Sequence, residues 1–376
     1  MLSLLLSSYA SPAPLHLLPH YEAASVYFRR ALHFVEGTMA SFRKTLVPVL
    51  LFVFCFVIAA PAVAPKLDPP GYAFIANQYE HTAVLVDLNT KSPVARIEVG
   101  VNGHEVVVDP EGHFGYVPIY GNSGVGKPGT DGDRIDIIDL KERKTAGSIL
   151  LGKPVRPHCA RFGPDGLLYV SAELAQAIYV IDVKAKKVVG EIPTGAMESH
   201  MFVLSPDGKR AYTSNVHAGS VSVLDLQKRS LITVIPVSSI VQRISITADG
   251  KRVFTHDQAE PRIAVIDTAT NKISGWIALP ATVYSSAPLP DGHTMVASSP
   301  SGKLFSIDLD NLKQIGESDA CQALGELALT SDGNRALLTC PATGQLLTYN
   351  AHSGKPDPEI ALTKGVDGIQ WFAAVK

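Results

Sequence analysis

The sequence predicts an all-β fold, a seven-bladed β-propeller of four-stranded antiparallel blades whose last strand closes the ring onto the first. Two recurrences and one matter of phase predict it. Turn glycines stand at Gly112, Gly166, Gly208, Gly250, Gly292 and Gly333, at intervals of 54, 42, 42, 42 and 41 residues. Aspartates stand at Asp87, Asp139, Asp182, Asp225, Asp267 and Asp308, with Asn350 in the seventh place. Each glycine-to-aspartate interval holds runs of β-formers, and a four-stranded unit repeated every forty-odd residues is the period of a propeller blade. The phase closes the ring. The repeat opens at Gly71–Asn77, which matches the second strand of a unit, and ends at Gly368–Val375, which matches a first, inner strand.

Residues 1–62 stand outside the repeat. From Thr45 to Ala64 the chain is almost uninterruptedly apolar, with Arg43 and Lys44 before it and Ala60-Pro61-Ala62 near its end. A basic flank, an apolar core and small exit residues are the pattern of a secretory signal, so residues 39–62 are expected to be a signal peptide cut after Ala62. A cut after Ala64 would put Pro65 where the protease needs extended backbone. The alternative is an uncleaved anchor, because the run is nearly long enough to span a bilayer. Met39 would itself be a normal beginning, so residues 1–38 are expected to be an over-extended start. The expected location is periplasmic or secreted, with membrane contact only through an uncleaved N-terminal segment.

Residues 63–376 are expected to form the propeller. In its clearest unit Ser205-Pro206-Asp207-Gly208 is a turn, and Asp-Gly supplies the positive φ that a tight turn needs. The inner strand is expected near Met201–Leu204, followed by strands at Arg210–Ser214, Ser220–Asp225 and Leu231–Pro236, where β-formers alternate or cluster. Inner strands counted from near residues 104, 158, 200, 242, 284, 325 and 368 give seven blades. The units and one insertion fill nearly the whole stretch, which leaves no room for a second domain. The C-terminal strand is expected to pair with residues 72–77, burying two edges that would otherwise be open to other chains.

Ser-Pro-Asp-Gly-Lys-Arg-Ala-Tyr-Thr-Ser-Asn at 205–215, followed by Val-Ser-Val-Leu-Asp-Leu at 221–226, closely resembles the YVTN β-propeller repeat. The pattern returns at Phe74–Asn77, Tyr116–Ile119 and Tyr169–Ala172, and in a more divergent form at Val253–His256, Met295–Ser298 and Leu337–Cys340. The resemblance covers the whole repeat region and is YncE-like, which implies an exported seven-bladed propeller. It is specific for architecture and uninformative about activity. Members of the family are commonly binding or surface proteins, related folds include lactonases and lyases, and fold alone does not decide among them.

A formal net charge of −2 and a pI near 6.6 give no electrostatic reason to expect nucleic-acid binding. Beyond the expected signal only Cys159, Cys321 and Cys340 remain, too few for a disulfide-built scaffold. Cys321 and Cys340 fall at the same end of an antiparallel pair, so they are either bridged in an oxidising compartment or two buried thiols.

Repetition lets equivalent positions be compared within one chain. Eight residues before each turn glycine, where the inner strand begins at the channel mouth, stand His104, His158, His200, Gln242, Tyr284 and Gly325; the last strand offers Asp367. Imidazole and carboxylate are ligands for zinc, iron, manganese or copper, so His104, His158, His200 and Asp367 are candidate ligands of a divalent metal ion. The next position carries Glu105, Cys159, Met201, Arg243 and Glu326. Gln242, Arg243, Tyr284 and Cys159 are candidate ligand-binding residues, and His158 and Glu105 are candidate catalytic bases. Three readings stay open at this point: a metal site, a site for a polar organic ligand, and histidines that only brace their turns.

An insertion of about 12 residues, set by the 54-residue interval, falls within Gly121–Asp133. Gly121 to Lys127 satisfies G-x-x-x-x-G-K, but Pro128 replaces the magnesium-binding Ser or Thr and no helix is expected to follow. No nucleotide is expected there. A flexible flap over the channel mouth is the better expectation, beside that of a tolerated surface insertion. His256, Asp257, Glu260 and His217 are expected to be solvated turn residues. The function these features predict is a binding or interaction module for a small molecule or an envelope protein. A metal-assisted lactonase or lyase is the alternative.

Overall fold

The computed structural model describes residues 71–323 and 325–373; the expected signal segment and the residues before it lie outside them. Seven four-stranded antiparallel sheets follow one another along the chain. Apart from a single 3₁₀ turn at Glu173–Ala175, all regular structure among the described residues is strand. The ring closes as the phase predicts. The C-terminal strand Val366–Ala373 pairs antiparallel with Gly71–Asn77, from Gly71 opposite Ala373 to Asn77 opposite Val366, and so forms the inner strand of the first blade. The inner strands of blades two to seven are Val107–Val108, Pro157–Phe162, Ser199–Leu204, Val241–Ile246, Ser285–Pro288 and Leu327–Leu329. In the clearest unit the inner strand begins two residues earlier than expected, at Ser199, and the second strand runs Arg210–Asn215.

The recurring residues have local causes. Gly208 has φ of +66°, and a Cβ there would come within 2.2 Å of the Pro164 ring of the preceding blade, so both backbone and neighbour demand glycine. The recurring aspartates cap the turn between third and fourth strands. Asp87, Asp139, Asp182, Asp225, Asp267 and Asp308 each accept a backbone N–H two or three residues on, and the Asn350 side chain does the same in the seventh place. In six blades the pairing of third and fourth strands is broken by a register shift. Such bulges twist the outer edge away from foreign strands.

The second and third strands are almost wholly buried, whereas the fourth strands are mostly exposed. The core is therefore a set of apolar layers between neighbouring blades. One layer joins Phe254, Ile263 and Val265 of blade five to Met295, Phe305 and Ile307 of blade six. Cys321 and Cys340 form a disulfide with Cα atoms 6.0 Å apart.

Polar residues at one repeat position fasten four of the blades to the next. Ser171 Oγ donates to the His200 carbonyl, Ser214 Oγ to that of Gln242, and Thr339 Oγ1 to that of Asp367. His256 takes the same place, with Nδ1 3.0 Å from the Tyr284 carbonyl and Nε2 2.8 Å from Ser286 Oγ. The second strand of one blade thus holds the residue that begins the inner strand of the next. His256 and Asp257 are fully buried, which corrects the expectation of solvated turn residues. His256 is an inter-blade brace, and Asp257 caps the next turn through Ala259 and Glu260 while pairing with Arg262. His217 and Glu260 are exposed as expected.

Candidate functional site

The three ring histidines come together at one mouth of the channel. His104 Nε2 lies 2.6 Å from His158 Nε2, and the rings of His158 and His200 overlap with centroids 3.6 Å apart. Tyr120 packs on both His104 and His158, with centroids at 5.3 and 5.4 Å. Its hydroxyl donates to Glu173 Oε2 at 2.6 Å, and the other oxygen of Glu173 faces His200 Nδ1. The chain Asn102, His104, His158, His200, Glu173 and Tyr120 therefore closes on itself.

Partners fix the imidazole protons. A carboxylate only accepts, so His200 Nδ1 carries a hydrogen toward Glu173. His104 Nδ1 is 3.2 Å from the Asn102 carbonyl, which likewise only accepts, so His104 Nε2 is bare and accepts from His158 Nε2–H. Burial holds the His104 pKa down to about 3, helped by the nearby His200 and Arg243. The same burial, with His200 next in weight, holds His158 well below the usual histidine range. The cluster thus holds two neutral imidazoles, His104 and His158, beside one carboxylate, and His158 Nδ1 is left as a buried acceptor without a partner. It suits a hydrogen-bond donor.

Asp367 does not join the histidines. Its carboxylate accepts from Gln78 Nε2 at 3.2 Å and lies 3.9 Å from Arg243. Arg243, 4 % exposed, sits at the centre of a second cluster deeper in the channel. Its NH1 is 3.0 Å from Glu105 Oε1 and 3.3 Å from Glu326 Oε1; its NH2 donates to the Tyr284 hydroxyl at 2.9 Å, and the guanidinium lies over the Tyr284 ring. Three carboxyl groups around one guanidinium, all removed from water, cannot all ionise cheaply. Burial pushes Glu326 up to about 7, reinforced by Glu105, and pushes Asp367 up to about 6. Glu105 is raised by burial as well. It is 1 % exposed and committed to Arg243, which leaves a candidate base without access to a substrate. Cys159 lies in the apolar layer between blades, its thiol pushed by burial up to about 11. Gln242 is part-buried beside the cluster. Among the described residues, no group of three or more histidine, cysteine, aspartate and glutamate side chains is arranged to hold a metal ion.

The insertion is tied down beside the mouth. Arg156 Nε pairs with Asp131 at 2.5 Å, and its two terminal nitrogens donate to the carbonyls of Gly124 and Lys127. After Lys127 the chain leads into the strand Asp131–Asp139. Gly126 reaches Glu198 and His217 of blade four. Beneath this arch lies a pocket of about 360 Å³ whose wall includes Arg156, Glu173, Leu174, Gln176, Met197 and Glu198. Glu173 belongs to both the pocket wall and the histidine chain and is the one residue they share.

Glu173 was invisible to comparison between repeats because it lies in a turn that does not repeat, and Tyr120 because the end of its strand, Phe114–Gly121, runs into the insertion. One signal could have pointed to Arg156. Asn102, Arg156, Glu198 and Ala323 occupy the same lead-in turn with φ of +51° to +55°, and three of the four carry a polar side chain next to a ring residue.

Solved structures share the architecture. The chain is similar to Kuenenia stuttgartiensis hydrazine synthase, with a TM-score of 0.62 and 20% identity over 84% of this chain and 99% of that one. It is also similar to the dihydro-heme d1 dehydrogenase NirN in complex with DHE, with a TM-score of 0.59 and 15% identity over 84% of this chain and 78% of that one. At such identities the likeness speaks for the propeller fold alone. No family model and no curated protein matches the sequence.

Proposed function

We propose that this chain is an exported, YVTN-type and YncE-like propeller that acts as a binding module, taking a small ligand rich in hydrogen-bond donors at the histidine mouth. One observation carries the reading: Glu173 belongs both to the wall of the arched pocket and to the closed histidine chain. A ligand amine or hydroxyl in the pocket would meet the Glu173 carboxylate, held in place by Tyr120 and His200. Pre-formed, concave and locally polar sites of this size are what small-molecule binding needs. His158→Ala removes the central imidazole and should abolish ligand-dependent stabilisation. Turnover of a substrate at enzyme-like rates by the native protein would overturn the binding-module reading.

A second reading, a metal-assisted lactonase or lyase, is favoured by the three gathered imidazoles, of which His104 and His200 each hold Nδ1 against an oxygen. That is how ligating histidines are held. A tetrahedral ion with Zn–N near 2.0–2.1 Å places two ligand nitrogens about 3.3 Å apart, so His104 and His158 would have to separate by about 0.7 Å. Such an ion would polarise a carbonyl, and a mouth histidine rather than the sealed Glu105 would serve as base. Elemental analysis of the native protein beside a His104, His158 and His200 triple-alanine variant decides it. Near-stoichiometric metal lost in the variant supports this reading, and none after incubation with zinc, manganese, iron and copper retires it.

A further inference from the structure

The opposite end of the channel holds a larger and chemically different cavity. It encloses about 640 Å³ between the inner strands of blades one, two, three and seven, on the face of the Asp-Gly turns. Val108, Phe162, Leu329, Trp371 and Phe372 give it apolar walls, and Arg161 and Glu326 form part of its lining. It is separated from the histidine mouth by the Arg243 cluster.

Arg161 is the unusual member. Its side chain is 32 % exposed, into this cavity. Its NH1 donates to the carbonyl of its neighbour Ala160 at 2.8 Å, and NH2 comes no closer to a carboxylate than 3.7 Å, at Glu326. No other hydrogen bond of this guanidinium is formed among the described residues. Glu326 is a weak counter-ion because its own oxygens are engaged elsewhere. Oε1 lies 3.3 Å from Arg243, and Oε2 accepts from the Ile369 N–H. Burial and Glu105 hold its carboxyl up to about 7, so it is about half protonated at pH 7 and largely protonated below that. Asp109, at the rim, spends its carboxylate on its own turn through the His113 N–H at 2.7 Å. Gln370 gives its oxygen to the Val108 N–H, which leaves its amide N–H groups as further donors at the cavity wall.

A guanidinium with unused donors, set in an apolar cavity and short of a counter-ion, is a half-built ion pair. Planar guanidinium recognises carboxylate, sulfonate or phosphate oxygens through two parallel N–H···O bonds. The flanking aromatics would cover an apolar body. We propose that this cavity is a second binding site, for an organic anion with an aromatic or otherwise apolar body, in which Arg161 pairs with the anionic group. The site is independent of the histidine mouth, so either can fail without the other.

The probe is 8-anilinonaphthalene-1-sulfonate, with N-phenyl-1-naphthylamine as its uncharged counterpart, titrated into native protein with dye emission and quenching of tryptophan emission as readouts. A charge-assisted contact contributes about 1.5–3 kcal/mol, roughly tenfold or more in affinity. The sulfonate should therefore saturate one site at least about tenfold more tightly than the amine. Arg161→Gln should abolish that preference while leaving the affinity for the amine within about twofold, and Arg161→Lys should keep part of it. Trp371→Phe should remove most of the tryptophan quenching, because Trp276 lies on an outer strand stacked against Arg262. Failure of the sulfonate to saturate, equal affinity for both probes, or an unchanged preference in Arg161→Gln would overturn the proposal. Should Arg161→Gln fail to fold, the native preference and the Trp371→Phe quenching still decide it.

Discussion

Arg243→Met is the most informative perturbation of the fold, because one side chain holds three carboxyl groups in place at the channel centre. Methionine keeps most of the volume and removes the charge. Glu105 at 3.0 Å, Glu326 at 3.3 Å and Asp367 at 3.9 Å would lose their shared cation, and the Tyr284 hydroxyl its donor. Breaking a buried charge pair by removing one partner costs about 3–5 kcal/mol, and that is the loss expected at pH 8. The loss should depend on pH in a defined direction. Without the cation, Glu326 and Asp367 would titrate still higher in the folded variant than their present values of about 7 and about 6. The unfolded chain binds those protons only near pH 4. A raised folded-state pKa gives stability that is present below the unfolded value and lost as pH rises through the folded one. The difference from wild type should therefore shrink to about half or less at pH 5. Guanidinium unfolding followed by both far-ultraviolet circular dichroism and tryptophan emission at the two pH values measures it. A loss under about 1 kcal/mol at pH 8, or equal losses at both, would refute the idea that Arg243 neutralises this cluster.

Three further outcomes are expected. Glu326→Gln should flatten the pH dependence of stability between about pH 4.5 and 7, a window in which the wild-type group accounts for a decline on the order of 3 kcal/mol; parallel melting-point curves for both proteins would count against it. Replacing Cys321 and Cys340 together by serine opens a bridge spanning 19 residues of sequence, and should cost about 3 kcal/mol, read by denaturant unfolding. Gly208→Ala should destabilise by about 1–3 kcal/mol, since it combines a positive φ with a clash against Pro164, whereas alanine at Gly124, whose Cβ would meet nothing nearer than 3.6 Å, should cost much less.

The fold was legible because its requirements repeat. Gly208 and its equivalents answer a turn that only a permissive backbone can make, and the Asp225 series answers orphaned turn N–H groups. The ring closure followed from phase alone. The site was legible only in part. His104, His158 and His200 share a repeat position, and the structure gathers them. Asp367 shares that position too, yet Gln78 and Arg243 draw its carboxylate into the deeper cluster. Such competition between partners leaves no trace in spacing. His256 reads as a turn residue if it is set after the second strand of its blade, but that strand runs on to Asp257 and His256 stands at the repeat position of Ser171, Ser214 and Thr339, which marks a brace between blades. Tyr120 and Glu173 share no repeat position with the histidines, and only the folded chain brings them together.

The central claim is that the histidine mouth is where this protein binds. Its most direct test is a thermal-shift panel of small amines, polyols and amides, run on the native protein and on the His104, His158 and His200 triple-alanine variant, with Arg161→Gln as a control at the other end of the channel. The account predicts at least one compound that raises the native melting point, loses its effect in the triple variant and keeps it in Arg161→Gln. A triple variant that responds to every active compound as the native protein does would contradict it.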